Sequence, residues 1–157
     1  MTLATAHKLP SREEIEAEPL PKSIGHHLDE VAATSGDRPA WIGIDGDNRV
    51  RTYAELAQDV SRAANALRTQ GVKKSEHVGV LMPNGIDFLI AWLALAKLGA
   101  VLVPLNPNVT APELQHIISD GDVERALVDK TSLALFGETE AGEKISALAI
   151  TEPSGGS

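Results

Sequence analysis

The sequence predicts an α/β fold: a mainly parallel sheet with helices on both faces, preceded by an N-terminal β-hairpin. From Ser23 onward, segments with apolar residues at a 3.6-residue period alternate with short apolar runs. Runs such as "HVGVLM" and "ALV" are apolar at consecutive positions, as in strands covered on both faces. Helix-start and helix-stop signals separate them, and repeated strand–helix–strand order with right-handed crossovers gives a parallel sheet.

The elements follow in order. Ile24, Leu28 and Val31 share one side of a short helix that Ser23 can cap, and Gly36 with Pro39 closes it. "AWIGI" reads as a strand, "DGDN" as a tight turn tolerant of positive φ, and "RVR" as the return, so a hairpin is expected at the first edge of the sheet. At Thr52 the period changes. Tyr53, Leu56, Ala57, Val60, Ala63, Ala64 and Leu67 make an apolar stripe, Thr52 and Glu55 a capping box, and Gly71 a left-handed stop. "HVGVLM" is a buried strand that Pro83 and Asn84 end, with Asn84 expected to cap the next helix.

That helix, Gly85 to Leu98, is apolar nearly all round and must be covered on most sides; Asp87 near its start and Lys97 near its end suit its dipole. Gly99 ends it, and Ala100 to Val103 form a strand expected at the centre of the sheet, with the Pro/Asn loop at its carboxyl end. In open α/β sheets that is the edge where ligands bind. Thr110 and Glu113 make a second capping box for a helix carrying Leu114, Ile117 and Ile118. "ERALVD" is a strand, Thr131 to Phe136 a helical turn and "ISALAI" a further strand. The organisation expected is a mobile lead-in over 1–22, an α/β subdomain over 23–150 and a flexible tail over 151–157.

Composition narrows the function classes. The 157 residues carry a net charge of −8, which repels nucleic-acid backbones and anionic membranes at long range. Having no cysteine, the chain has no disulfide framework, thiolate metal site or cysteine nucleophile. No stretch reads as a signal peptide or as a spanning helix of about 20 apolar residues, and a soluble, cytoplasmic chain is expected.

Candidate sites weigh toward structure. Asp45, Asp47 and Asn48 lack the twelve-position calcium-loop pattern and read as a turn. His26 and His27 are helix neighbours that do not share a face, so a two-histidine metal site is not expected. His77 and His116 lack a nucleophile or fixed carboxylate partner and are read as structural. Neither Gly-x-Gly-x-x-Gly nor Gly-x-x-x-x-Gly-Lys-Ser/Thr occurs, and the single glycine of "MPNGID" is explained equally by capping. No catalytic, cofactor-binding or metal-ligating residue is assigned. A dehydrogenase-type nucleotide fold ranks low for want of its glycine fingerprint.

Three segments in order resemble the adenylate-forming, AMP-dependent synthetase/ligase superfamily. "RTYAELAQDVSRAANAL" is similar to its opening motif through Thr52, Tyr53, Glu55 and Leu56, with Arg51 where the family has leucine. "HVGVLMPNGIDFLIAWLALAKLGAVLVPLNP" resembles its second motif and lead-in through Lys97, Gly99, Ala100, Pro104, Leu105 and Asn106. "APELQHIISDGDVERALVD" is similar to the helix and strand that follow, through Glu113, Leu114 and the "ALV" strand. The resemblance runs from about Ser23 to Asp129.

It implies part of the large N-terminal domain of an acyl-CoA synthetase-like enzyme. Such enzymes join a carboxylate to ATP as an acyl-adenylate and commonly pass the acyl group to coenzyme A, with Mg²⁺ on the pyrophosphate. The family's Ser/Thr/Gly-rich phosphate loop ending Pro-Lys-Gly is absent here; "TEPSGGS" has the small residues without the lysine. Pro107 and Asn108 do not match the glycine pair that relatives can use near coenzyme A, so Asn106 and Pro107 are expected only to fix the turn. The expectation is an N-terminal fragment, from a truncated or split gene, without catalysis of its own. It would need ATP, Mg²⁺ and coenzyme A only as part of the complete enzyme, and its partners would be a complementary C-terminal chain or itself. The alternative is a non-catalytic binding or regulatory module docking on a partner chain.

Overall fold

The computed structural model describes residues 11–17, 19, 21–43 and 50–150. The expected "DGDN" turn and the 151–157 tail lie outside the described residues.

Helix α1 (Arg12–Ala17) falls within the expected lead-in. Its start signal is legible afterwards: Glu14 accepts from the Ser11 N–H at 2.6 Å while its own N–H donates to Ser11 Oγ at 3.3 Å, a capping box in a solvent-exposed segment. α2 (Ile24–Ser35) begins at Ser23, whose side chain accepts from the His26 N–H as expected. Strands β1 (Pro39–Ile42) and β2 (Val50–Thr52) pair antiparallel, Ile42 opposite Val50. They form a two-stranded sheet of their own, so the expected hairpin exists but does not make an edge of the main sheet.

α3 (Tyr53–Thr69) starts with the full Thr52/Glu55 capping box. It ends before Gly71, which sits at φ 87°, while the Val72 N–H bonds back to the Leu67 carbonyl. β3 (His77–Leu81) leads to α4 (Ile86–Leu98). The residue at the cap of α4 is Gly85, without a side-chain bond, so Asn84 does not have the capping role expected of it. Gly99 ends α4 at φ 69°.

β4 (Val101–Leu105), α5 (Ala111–Asp120) and β5 (Arg125–Asp129) follow. Two five-residue helices, α6 (Leu133–Gly137) and α7 (Glu140–Lys144), then precede β6 (Ser146–Ile150). α7 is an element that periodicity cannot reveal at that length; its signal is Thr139, whose hydroxyl accepts from the Gly142 N–H at 3.1 Å.

The four parallel strands run in the order β4-β3-β5-β6. Among the described residues β4 is therefore an edge strand, which corrects the expectation that it is central. Pro104 carried that information, since proline cannot donate to a ladder and is confined to edges. The Val101 N–H bonds to the Glu76 carbonyl on the β3 side, so by alternation the backbone of Leu102 and Pro104 faces outward.

Helices cover both faces, as the sequence predicts. On one face Val78, Val80 and Leu127 pack with Leu28 of α2, Leu56, Val60 and Leu67 of α3, and Ala94 and Leu95 of α4. On the other, Leu81, Ala126 and Val128 pack with Leu114 and Ile118 of α5, Phe136 of α6 and Ala141 of α7.

Candidate functional site

In this topology the crossover helices start at the carboxyl edge of the sheet, where backbone N–H groups and helix dipoles favour an anion. The sequence has placed its own carboxylates there. Asp87 stands exposed in the first turn of α4. At α5, Glu113 accepts from both the N–H and the hydroxyl of Thr110, each at 2.8 Å. These bonds, the backbone one foremost, hold its carboxyl below the ordinary glutamate range.

Asp129, the last residue of β5, does the same ahead of α6. It accepts from the Ser132 N–H at 3.1 Å, from the Thr131 N–H at 3.2 Å and from the Thr131 hydroxyl. Burial pushes its carboxyl up, but these bonds outweigh burial and the net shift is downward. Glu55 fills the same role at α3, its carboxyl lowered first by the Thr52 N–H.

The Pro/Asn loop after β4 is held from within. Asn106 Oδ1 accepts from the Asn108 N–H at 2.9 Å, an Asx turn that fixes the loop as expected. Glu113, Asp129 and Asn106 are thus committed to neighbouring groups of the chain, while Asp87 stands exposed. The starts of α4, α5 and α6 therefore carry the acceptors Asp87, Glu113 and Asp129, and no side-chain donor for a phosphate is assigned among them. Among the described residues no three His, Asp or Glu come together as a cation site.

The remaining sequence candidates are dispersed. His26 and His27 lie 3.3 and 3.7 Å from the Glu30 carboxylate, exposed on α2. His77 Nδ1 donates to the Gly121 carbonyl at 2.7 Å at the amino edge, and His116 is exposed on α5. Asp45, Asp47 and Asn48 lie outside the described residues.

Sequence reading missed one ion pair near His77. Arg125 Nε donates to Glu76 Oε1 at 2.8 Å, and the other carboxylate oxygen accepts from the Lys73 N–H at 2.8 Å. The partners are 49 residues apart, and no local pattern marks them. An apolar groove of about 480 Å³ lies beside α3 and α4 over β5 and β6, with Asp87 and Gln70 in its lining.

An open parallel sheet with helices on both faces, and loops gathered at its carboxyl edge, defines a doubly wound α/β protein. The AMP-binding enzyme family matches residues 28–154. The chain belongs to the AMP-binding enzyme family.

Among curated relatives, the long-chain-fatty-acid–CoA ligase FadD13 of Mycobacterium tuberculosis is 38% identical over 99 residues, covering 63% of this chain and 20% of the ligase. A crotonobetaine/carnitine–CoA ligase of Salmonella typhimurium is 32% identical over 112 residues, 70% of this chain and 22% of that protein. The inhibitor-bound N-terminal domain of FACL13 from Mycobacterium tuberculosis has a TM-score of 0.75 at 28% identity, covering 82% of this chain and 33% of that domain. The chain thus spans about a fifth of the length of the curated CoA ligases it matches, and its match is to their N-terminal part.

Proposed function

We propose that the chain is the N-terminal piece of an acid–thiol ligase of the acyl-CoA synthetase kind, acting in the cytoplasm, and that these 157 residues do not activate an acid by themselves. The complete enzyme would use ATP, Mg²⁺ and coenzyme A to convert a carboxylic acid to its adenylate and then its thioester, with fatty acids as the first class to try. The carrying observation is the alignment with the FACL13 N-terminal domain at a TM-score of 0.75 over only 33% of that domain. The absence from these 157 residues of the family's Ser/Thr/Gly-rich phosphate loop ending Pro-Lys-Gly supplies the physical reason for inactivity. Activation of an acid requires donors around a phosphorus that gains negative charge, which that loop and its lysine would supply.

ATP–pyrophosphate exchange on the purified chain, with a panel of fatty and aryl acids, tests the reading. No exchange above buffer is expected, and robust exchange overturns the claim of inactivity. The alternative, a binding or regulatory module that docks on a partner chain, draws on the open apolar groove.

A further inference from the structure

We propose that Asn84 is a site of spontaneous deamidation, converted to aspartate and isoaspartate by attack of the Gly85 backbone nitrogen on the Asn84 side chain.

The step needs only water. The Gly85 nitrogen, losing its proton to solvent, bonds to Asn84 Cγ and closes a cyclic imide, while the Cγ–Nδ2 bond breaks and ammonia leaves. Hydrolysis of the imide at Cγ restores the ordinary chain as aspartate. Hydrolysis at the main-chain carbonyl leaves Gly85 attached through Cγ, an isoaspartate, with an extra carbon in the backbone. One water is consumed and one ammonia released. Because no enzyme takes part, the extent of conversion records the age of the chain.

The attacking nitrogen must be unshielded, free of a hydrogen bond and able to swing toward Cγ. Glycine shields it least, having no Cβ. Of Asn48, Asn65, Asn84, Asn106 and Asn108, only Asn84 precedes a glycine. Asn84 is exposed, and both residues lie in the turn between β3 and α4, outside either element. Gly85 is extended at φ 177° and ψ −172°, not wound into the first turn of the helix. Its carbonyl accepts from the Leu89 N–H, but among the described residues no acceptor takes its own N–H. A capping asparagine would have its side chain tied to the helix; here the cap falls at Gly85, and among the described residues the Asn84 side chain makes no hydrogen bond.

The other sites are protected in ways that Asn84 is not. Asp120 also precedes a glycine, and aspartate can form the same imide, but the Gly121 N–H donates to the Ile117 carbonyl at 2.9 Å. Asn65 lies inside α3, where the next N–H belongs to the helix ladder. Asn106 precedes Pro107, which has no N–H to lose. Asn108 precedes β-branched Val109, whose N–H bonds to the Asn106 carbonyl at 3.5 Å. Asn48 lies outside the described residues. Conversion of Asn84 adds a carboxylate beside Asp87 at the start of α4, and the isoaspartate form lengthens the turn that feeds that helix.

The test incubates the purified chain, folded in buffer and unfolded in guanidinium chloride, and follows both by intact mass and peptide mapping, with isoaspartate told from aspartate by electron-transfer fragmentation. Conversion is expected first at Asn84, in the folded chain within about fivefold of its rate when unfolded, because an exposed turn needs little local opening. The rate should rise with pH, since the nitrogen must lose its proton. Gly85→Ala should slow conversion about tenfold by shielding that nitrogen. The variant should fold as the parent does, because a Cβ at Gly85 meets nothing within 4 Å and its φ is open to any residue. An Asn84 that stays intact in the folded chain while it converts in the unfolded one overturns the proposal. So does a Gly85→Ala chain that converts as fast as the parent, or conversion that appears first at Asn108 or Asp120.

Discussion

Gly25 of α2 lies directly on Lys97 of α4: a Cβ at Gly25 would stand 2.5 Å from Lys97 Cγ and 3.3 Å from its Cα. The contact permits a second one. Lys97 Nζ, drawn under α2, donates to Asp29 Oδ1 at 2.6 Å and to Ser61 Oγ at 3.1 Å, tying α2, α3 and α4 together. Gly25→Ala should therefore destabilise the chain by about 1–2 kcal/mol, the overpacking cost exceeding the helix-propensity gain of about 1 kcal/mol. Urea unfolding measures it. Lys97→Ala in the same chain should make the two changes strongly non-additive, and additive losses would refute the contact.

Glu76 and Arg125 predict a pH dependence. Burial pushes the Glu76 carboxyl up, yet the hydrogen bonds from Arg125 and the Lys73 N–H outweigh burial and hold it below its ordinary value. The folded chain therefore releases this proton at lower pH than the unfolded chain. Its contribution is complete above the unfolded value of about 4.3 and is lost as pH falls through the lower folded value. Glu55, Glu113 and Asp129 act in the same direction. Urea midpoints should stay level in this contribution from pH 7 to 5 and fall below about 4, and Glu76→Gln should flatten part of that fall. Arg125→Ala at pH 7 should cost about 2–3 kcal/mol, because it leaves a buried carboxylate without its cation.

Gly99 predicts a cost of a different origin. It closes α4 at φ 69°, with the Gly99 and Ala100 N–H groups bonding back to Ala96 and Leu95. Any Cβ there enters the left-handed region at about 1–2 kcal/mol and would also lie 3.2 Å from Lys74 Cγ. Gly99→Ala should lower stability by that amount and Gly99→Asn by less, since asparagine tolerates the conformation. Equal losses for the two would point to Lys74 crowding as the cause.

The residues that carry the family resemblance owe their legibility to local physics. Thr52, Glu55, Thr110 and Glu113 cap helices, and Gly99 ends one; each acts within a few residues of itself, so a single sequence displays it. Lys97 and Gly25 act across 72 positions, and Glu76 with Arg125 across 49, so their roles emerge only once the chain has folded. The position of β4 falls between these cases. Its apolar run looks the same whether the strand is central or peripheral, and only Pro104 distinguishes the two. Capping by Asn84 failed because the turn from β3 carries the chain one residue further before the helix begins. At the carboxyl edge, Asp87 and Glu113 are readable as helix-start residues, while Asp129 reads as the end of a strand and shows its bonds to Thr131 and Ser132 only in the structure. That they gather at one edge of the sheet required the topology that aligns them.

Pro104 gives the sharpest test of the edge assignment. Its ring nitrogen stands on the outward side of β4, where any other residue would present a donor beside that of Leu102. Pro104→Val should leave the inward ladder to β3 untouched, because that ladder uses Val101, Val103 and Leu105. It should also gain β propensity and open a strand edge that already exposes Val101. The expected outcome is a monomer-to-oligomer shift at lower protein concentration in sedimentation velocity, with stability of the monomer unchanged or slightly raised. Pro104→Lys separates the two effects: it restores the donor but adds an edge charge, so it should stay as dispersed as the parent. If Pro104→Val instead unfolds the chain without associating, the proline is needed for the loop that follows it rather than for guarding the edge.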